Sequence, residues 1–156
     1  YKQVKMLGVG KGSVSQAFML DAMKRAFKEI DKTDNYKLNI QEKYTELHRY
    51  FRAIQQTFQN YWPVKYNVEL EKNSGEIAKA DNQIIKTNGI GAFFRIFPQV
   101  FQYSKENNIR YKDIISKLKD FNWEGVDKGT GFAAQKAIAE ELLNISDINF
   151  NTIIDK

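Results

Sequence analysis

Between Ile40 and Trp62 the chain sets Tyr44, Leu47, Phe51, Ile54, Phe58 and Tyr61 three or four residues apart. That interval is the α-helical period, so the spacing predicts one long helix with a single apolar stripe. Glu42, Lys43, Glu46, Arg49, Arg52 and Gln56 fall on the opposite side. Pro63 supplies the stop, because proline disfavours helical backbone at the residue before it. Such a stripe has to be covered, and the covering elements are legible too. Val14 to Asp31 reads as a helix with Phe18, Ala22, Ala26 and Ile30 on one side and Met19, Met23 and Phe27 beside them. Ser13 or Ser15 is its N-cap, and Ser13 with Gln16 has capping-box spacing. Thr87 to Phe101 carries Ile90, Phe93, Phe94, Phe97, Val100 and Phe101 in a helical pattern, with Pro98 predicting a kink or a break. Tyr111–Phe121 reads as a shorter helix with Ile114, Ile115 and Leu118 inward, and Phe132–Asn144 as the last.

Two segments, residues 1–7 and 64–70, alternate in the manner of short strands. The first has no evident partner in the following sixty residues, which suggests a piece of a longer protein. Residues 71–82 are polar and read as a loop. With 156 residues and no linker or repeat, the expectation is mainly α: a single helical domain, 1–156, of about five helices and one or two short strands.

Composition removes several classes of function. The chain has no Cys, so disulfides, thiolate zinc sites and cysteine nucleophiles are all excluded. Its single histidine, His48, lies mid-helix beside Arg49 and has no serine at an informative distance. No apolar run reaches the ~18 residues of a membrane span, and the reading is a cytoplasmic protein without a membrane partner. The net charge of +5 is uneven, with six basic and two acidic side chains in residues 1–30. Lys11, Lys24, Arg25 and Lys28, on and before the first helix, together with Ser13, are therefore the candidate contacts for a nucleic-acid phosphate.

Three glycine turns precede helices. Gly8–Ser13 invites a phosphate-loop reading, but Gly12 separates Lys11 from Ser13 and the first glycine of the pattern is missing. The dinucleotide pattern fails too, because Ser13 stands where its third glycine belongs. Gly129, Thr130 and Gly131 form a candidate anion-binding helix start, since helix N-termini favour negative charge. In Thr87–Gly91, Asn88-Gly89 tolerates positive φ and Gly91 permits close approach of another helix. Asp120, Glu124 and Asp127 cluster near a turn, but their spacing matches no metal motif and they read as a solvated acidic stretch. No metal, cofactor or catalytic residue is expected. Basic and aromatic residues interleave in two places: Tyr44, His48, Arg49, Tyr50, Arg52 and Tyr61, then Tyr103, Lys105, Arg110, Tyr111 and Lys112. Bases stacked on rings, with phosphates held by Lys and Arg, is a mode of single-strand binding.

Four stretches occur in an order and spacing that resembles the C-terminal region of DGQHR-domain proteins: LGVGKGSVSQAFMLDAMKRAF (Leu7–Phe27), YWPV (Tyr61–Val64), IIKTNGIGAFFRIFPQVF (Ile84–Phe101) and FNWEGVDKGTGFAAQKAIAEEL (Phe121–Leu142). The resemblance implies a bacterial protein related to the DndB regulators of DNA phosphorothioate modification and to members found in defence islands. It also implies an N-terminal half with a ParB-like fold, lying outside this sequence. The Asp-Gly-Gln-His-Arg motif itself is absent, so no catalytic or nucleotide-handling residue carries over. The leading expectation is a non-catalytic, DNA-associated regulatory or interaction domain. The alternative is a structural or oligomerisation domain that packs on its own N-terminal half, motivated by the unpaired strand and the aromatic surplus of Phe93–Phe101. A nucleotide-dependent enzyme using the glycine turns is the third.

Overall fold

The computed structural model describes residues 4–5, 14–32, 36–59, 61, 84, 86–123, 129 and 131–148. The expected strand at 64–70, the loop at 71–82 and the helix stop at Pro63 lie outside them. The described residues form five α-helices and a minimal strand pair, so the protein is mainly α. β1 (Val4–Lys5) pairs in parallel with β2 (Val14–Ser15), Val4 opposite Val14. The N-terminal strand therefore has a partner ten residues on, which corrects the reading of it as unpaired.

Local chemistry starts the first two helices. α1 (Gln16–Asp31) is capped by Ser15, whose side chain accepts from the Phe18 amide at 3.2 Å. α2 (Ile40–Thr57) opens on a capping box in which the Glu42 amide donates to Asn39 at 2.8 Å and the Asn39 amide donates to Glu42 at 3.2 Å. It ends before the residue the stripe predicted. Phe58 leaves helical geometry (φ −111°, ψ 43°) and enters the core edge-on to Trp123 at 5.7 Å, so packing outweighs continuation of the helix.

α3 (Thr87–Asn107) runs through Pro98 and continues for nine more residues, so the proline does not break it. The missing amide costs about 3 kcal/mol. Phe93, Phe97, Val100 and Phe101 are all buried around it, at ~1.5–3 kcal/mol each, which is more than enough to hold the helix together. Asn88 and Gly89 are not a positive-φ turn but part of the buried first turn of α3. Gly91 does mark a close approach, because a Cβ there would meet Gln135 of the last helix. α4 (Tyr111–Ile115) continues into a single 3-10 turn, Ser116–Leu118, and α5 is Phe132–Ser146.

The centre of the molecule is α3, which packs against α1, α4 and α5, while α2 packs against α4 and the 3-10 turn. Rings connect α2 to α3 directly: Tyr50 meets Phe97 at 4.7 Å and Phe51 meets Phe94 at 5.0 Å. The aromatic surplus of Phe93–Phe101 is thus consumed within the chain. The stripe on α2 is rotated from the predicted one. Leu47, Tyr50, Ala53, Ile54 and Glu46 are buried, whereas Tyr44 is 54% exposed.

Candidate functional site

One of the basic residues predicted on α1, Arg25, reaches the first residue of α5. Lys24, Arg25 and Lys28 are all exposed on α1. Arg25 and Lys28 line a cleft of about 370 Å³ against α3, while Lys24 is not part of it. The Arg25 guanidinium lies 4.7 Å from the ring centre of Phe132, the first residue of α5. Gly131, just before it, has φ 85°, a conformation that glycine adopts without strain. No described side chain caps α5, and the Gly129 carbonyl accepts from Asn88 at 2.6 Å. Lys11, Ser13 and Thr130 lie outside the described residues.

Sequence reasoning missed the second arginine of this cleft. Arg95 of α3 stands 5.3 Å from the same Phe132 ring. Burial, and then the charge of Arg25, lower its pKa. Its Nε is enclosed without a hydrogen-bond partner among the described residues. The signal was available, because Arg95 is the single charge between Thr87 and Phe101. Of the described lining residues, Glu29 is the one carboxylate, and it pairs with Lys32 at 2.8 Å.

A second cleft, of about 470 Å³, brings together basic residues from both interleaved stretches, with Tyr111 as the one ring of those stretches among its described lining residues. α3 ends with Asn108 in left-handed geometry (φ 52°), which asparagine tolerates, and the Ile109 amide donates back to Ser104 at 3.0 Å. The reversal brings Arg110, Tyr111 and Lys112 beside Arg49 and Arg52 of α2. Glu46 lies in this cleft beneath those cations. It accepts from the Tyr111 hydroxyl and from Lys105 at 2.7 Å, which corrects its expected place on the solvent side. Burial, then the hydrogen bond and charge of Glu46, push the Tyr111 pKa far above the usual phenol range, so it stays a neutral donor.

Lys105 is spent on Glu46, and Arg110 pairs with Asp113 at 3.1 Å. Arg49, Arg52 and Lys112 have no ion-pair partner among the described residues, so the cleft presents net positive charge. Most of the rings proposed for stacking are unavailable. Tyr50 is fully buried, its hydroxyl donating to the Phe93 carbonyl at 2.6 Å; Tyr111 is buried, and Tyr61 and Tyr103 are half-buried. Tyr44 is the exception, stacked on exposed His48 at 6.0 Å with 19° between planes. Arg52 follows His48 by one helical turn and carries that surface toward the cleft.

Among the described residues no three His, Asp or Glu side chains are placed to hold a metal ion. Asp120 is exposed, and Glu124 and Asp127 lie outside the described residues. No described helix is long and apolar enough to cross a membrane. Compared with protein-family models, curated proteins and solved structures, the chain matches none.

Proposed function

We propose that this chain is a non-catalytic, DNA-associated interaction domain that holds a phosphate backbone in the cleft between α2, α3 and α4. One observation carries the reading. Arg49 and Arg52 come together with Lys112, some sixty residues later in the chain, on one concave surface that no carboxylate among the described residues neutralises. Phosphates are the natural occupants of such a surface, and each contact releases counterions, which makes binding fall with salt. The Tyr44–His48 stack extends the surface with an exposed ring that suits an unpaired base. The resemblance to DGQHR-domain proteins points to the same DNA-linked class of partner.

The test is fluorescence anisotropy with labelled single-stranded and duplex DNA at two salt concentrations. Affinity is expected to fall as salt rises, and each of Arg49→Gln, Arg52→Gln and Lys112→Gln should lower the salt slope by about one. Tyr44→Ala should weaken single-strand binding by ~1–3 kcal/mol and leave duplex binding nearly unchanged. Undetectable binding at low salt, or a slope that the three substitutions do not move, would overturn the proposal.

A further inference from the structure

We infer that the cleft between α1 and α3 is a second, separate site, built for a single phosphomonoester group held between Arg25 and Arg95. The inference does not depend on the α2–α4 surface. It starts from an electrostatic problem inside the chain. Two guanidinium groups are drawn against one ring, at 4.7 and 5.3 Å from Phe132, and Lys28 lines the same cleft. Like charges held together raise the energy of the fold unless something of opposite sign sits with them. The lining carboxylate, Glu29, is already paired with Lys32. The chain's described residues therefore leave Arg25, Lys28 and Arg95 uncompensated.

Geometry narrows the anion. The Nε of Arg95 has no acceptor among the described residues, and the rest of its guanidinium offers donors in a planar fork that matches phosphate oxygens. Gln135, 3% exposed, adds an amide to the lining. A volume of about 370 Å³ is in the range of small-ligand sites, roomy enough for a phosphate with a sugar and too small for a duplex. Three cations favour the dianion of a terminal phosphate over the single charge of a backbone diester. The same chemistry exists in a free mononucleotide and at the phosphorylated end of a strand.

Calorimetric titration separates these sources. The probes are thymidine 5′-monophosphate against thymidine, and a 5′-phosphorylated oligonucleotide against its 5′-hydroxyl twin. A phosphate is expected to strengthen binding by about tenfold or more in at least one of the pairs. Gain in the nucleotide pair alone assigns the site to free nucleotides, and gain in the oligonucleotide pair assigns it to strand ends. Arg25→Gln and Arg95→Gln should each erase the phosphate-dependent gain, whereas Arg49→Gln with Arg52→Gln should leave it intact. The last variant keeps this site distinguishable from the backbone-binding surface. Arg25 is exposed, so its substitution decides the matter even if Arg95→Gln unfolds the protein. Equal affinity within both pairs, or a gain that survives both arginine substitutions, would overturn the inference.

Discussion

Replacing Glu46 by alanine should weaken the fold more than any other single charge removal among the described ion pairs. Its carboxylate is 9% exposed and serves two donors, the Tyr111 hydroxyl and Lys105. The two losses differ in size. Lys105 is 34% exposed and can turn to water, so its share resembles a surface pair, ~0.2–1 kcal/mol. Tyr111 is 6% exposed and would be left with a buried, unpartnered hydroxyl, which costs about 1–3 kcal/mol. Together the expected loss is about 1–4 kcal/mol, or roughly 2–16 °C in Tm for a chain of this size. Glu46→Gln keeps an acceptor for Tyr111 and should cost only ~1 kcal/mol. Urea unfolding of Glu46→Ala, Tyr111→Phe and the double variant closes a thermodynamic cycle, with an expected coupling of ~1–2 kcal/mol. A Glu46→Ala protein within about 0.5 kcal/mol of the parent, or strictly additive single losses, would refute the reasoning.

Alkaline pH should destabilise the protein through two tyrosines. Burial raises the pKa of Tyr50, and burial with Glu46 raises that of Tyr111, so above the ordinary phenol value of ~10 the unfolded chain releases protons that the fold retains. Stability is then flat below that value and falls above it by up to ~1.4 kcal/mol per pH unit for each tyrosine, which urea midpoints between pH 8 and 11 and the two Tyr→Phe variants would measure. Gly91→Ala sets a helix-propensity gain of ~0.5–1 kcal/mol against overpacking of ~1–3 kcal/mol, because the new Cβ would lie 2.9 Å from Cγ of buried Gln135. Net destabilisation is expected in thermal melts, and Gln135→Ala should remove it; a stabilised Gly91→Ala would show that Gln135 moves freely. Asn39→Ala removes the α2 cap and should cost about 1 kcal/mol, with no change at either cleft, as read by circular dichroism and the binding assays above.

Helix starts were legible from where each apolar period begins, with a local cap at Asn39 adding to the signal for α2. Ile40, Thr87, Tyr111 and Phe132 each open a helix where the pattern places one. Helix ends were less so, since Phe58 and Pro98 are decided by what their neighbours bury. Glu46 shows the limit most clearly. On the helical wheel it shares a side with Arg49 and Arg52, and only the arrival of Tyr111 and Lys105 from some sixty residues away turns it into a buried acceptor. The candidate sites divide in the same way. Arg25 and Lys28 stand out as part of a basic block, and Arg49 and Lys112 as members of two interleaved stretches. That Arg25 meets Arg95, and Arg49 meets Lys112, depends on the crossing of α1, α2 and α4 with α3, which no spacing along the chain encodes.

The position of α3 at the centre also has a consequence for synthesis. The apolar faces of α1 and α2 leave the ribosome well before Phe94 and Phe97, the rings that cover them. At ~5–20 residues per second the wait lasts on the order of several seconds, during which two amphipathic helices are exposed to chaperones or to each other. Stalling translation just before α3 should therefore give a nascent chain that cross-links to holdase chaperones, and releasing α3 should end the contact.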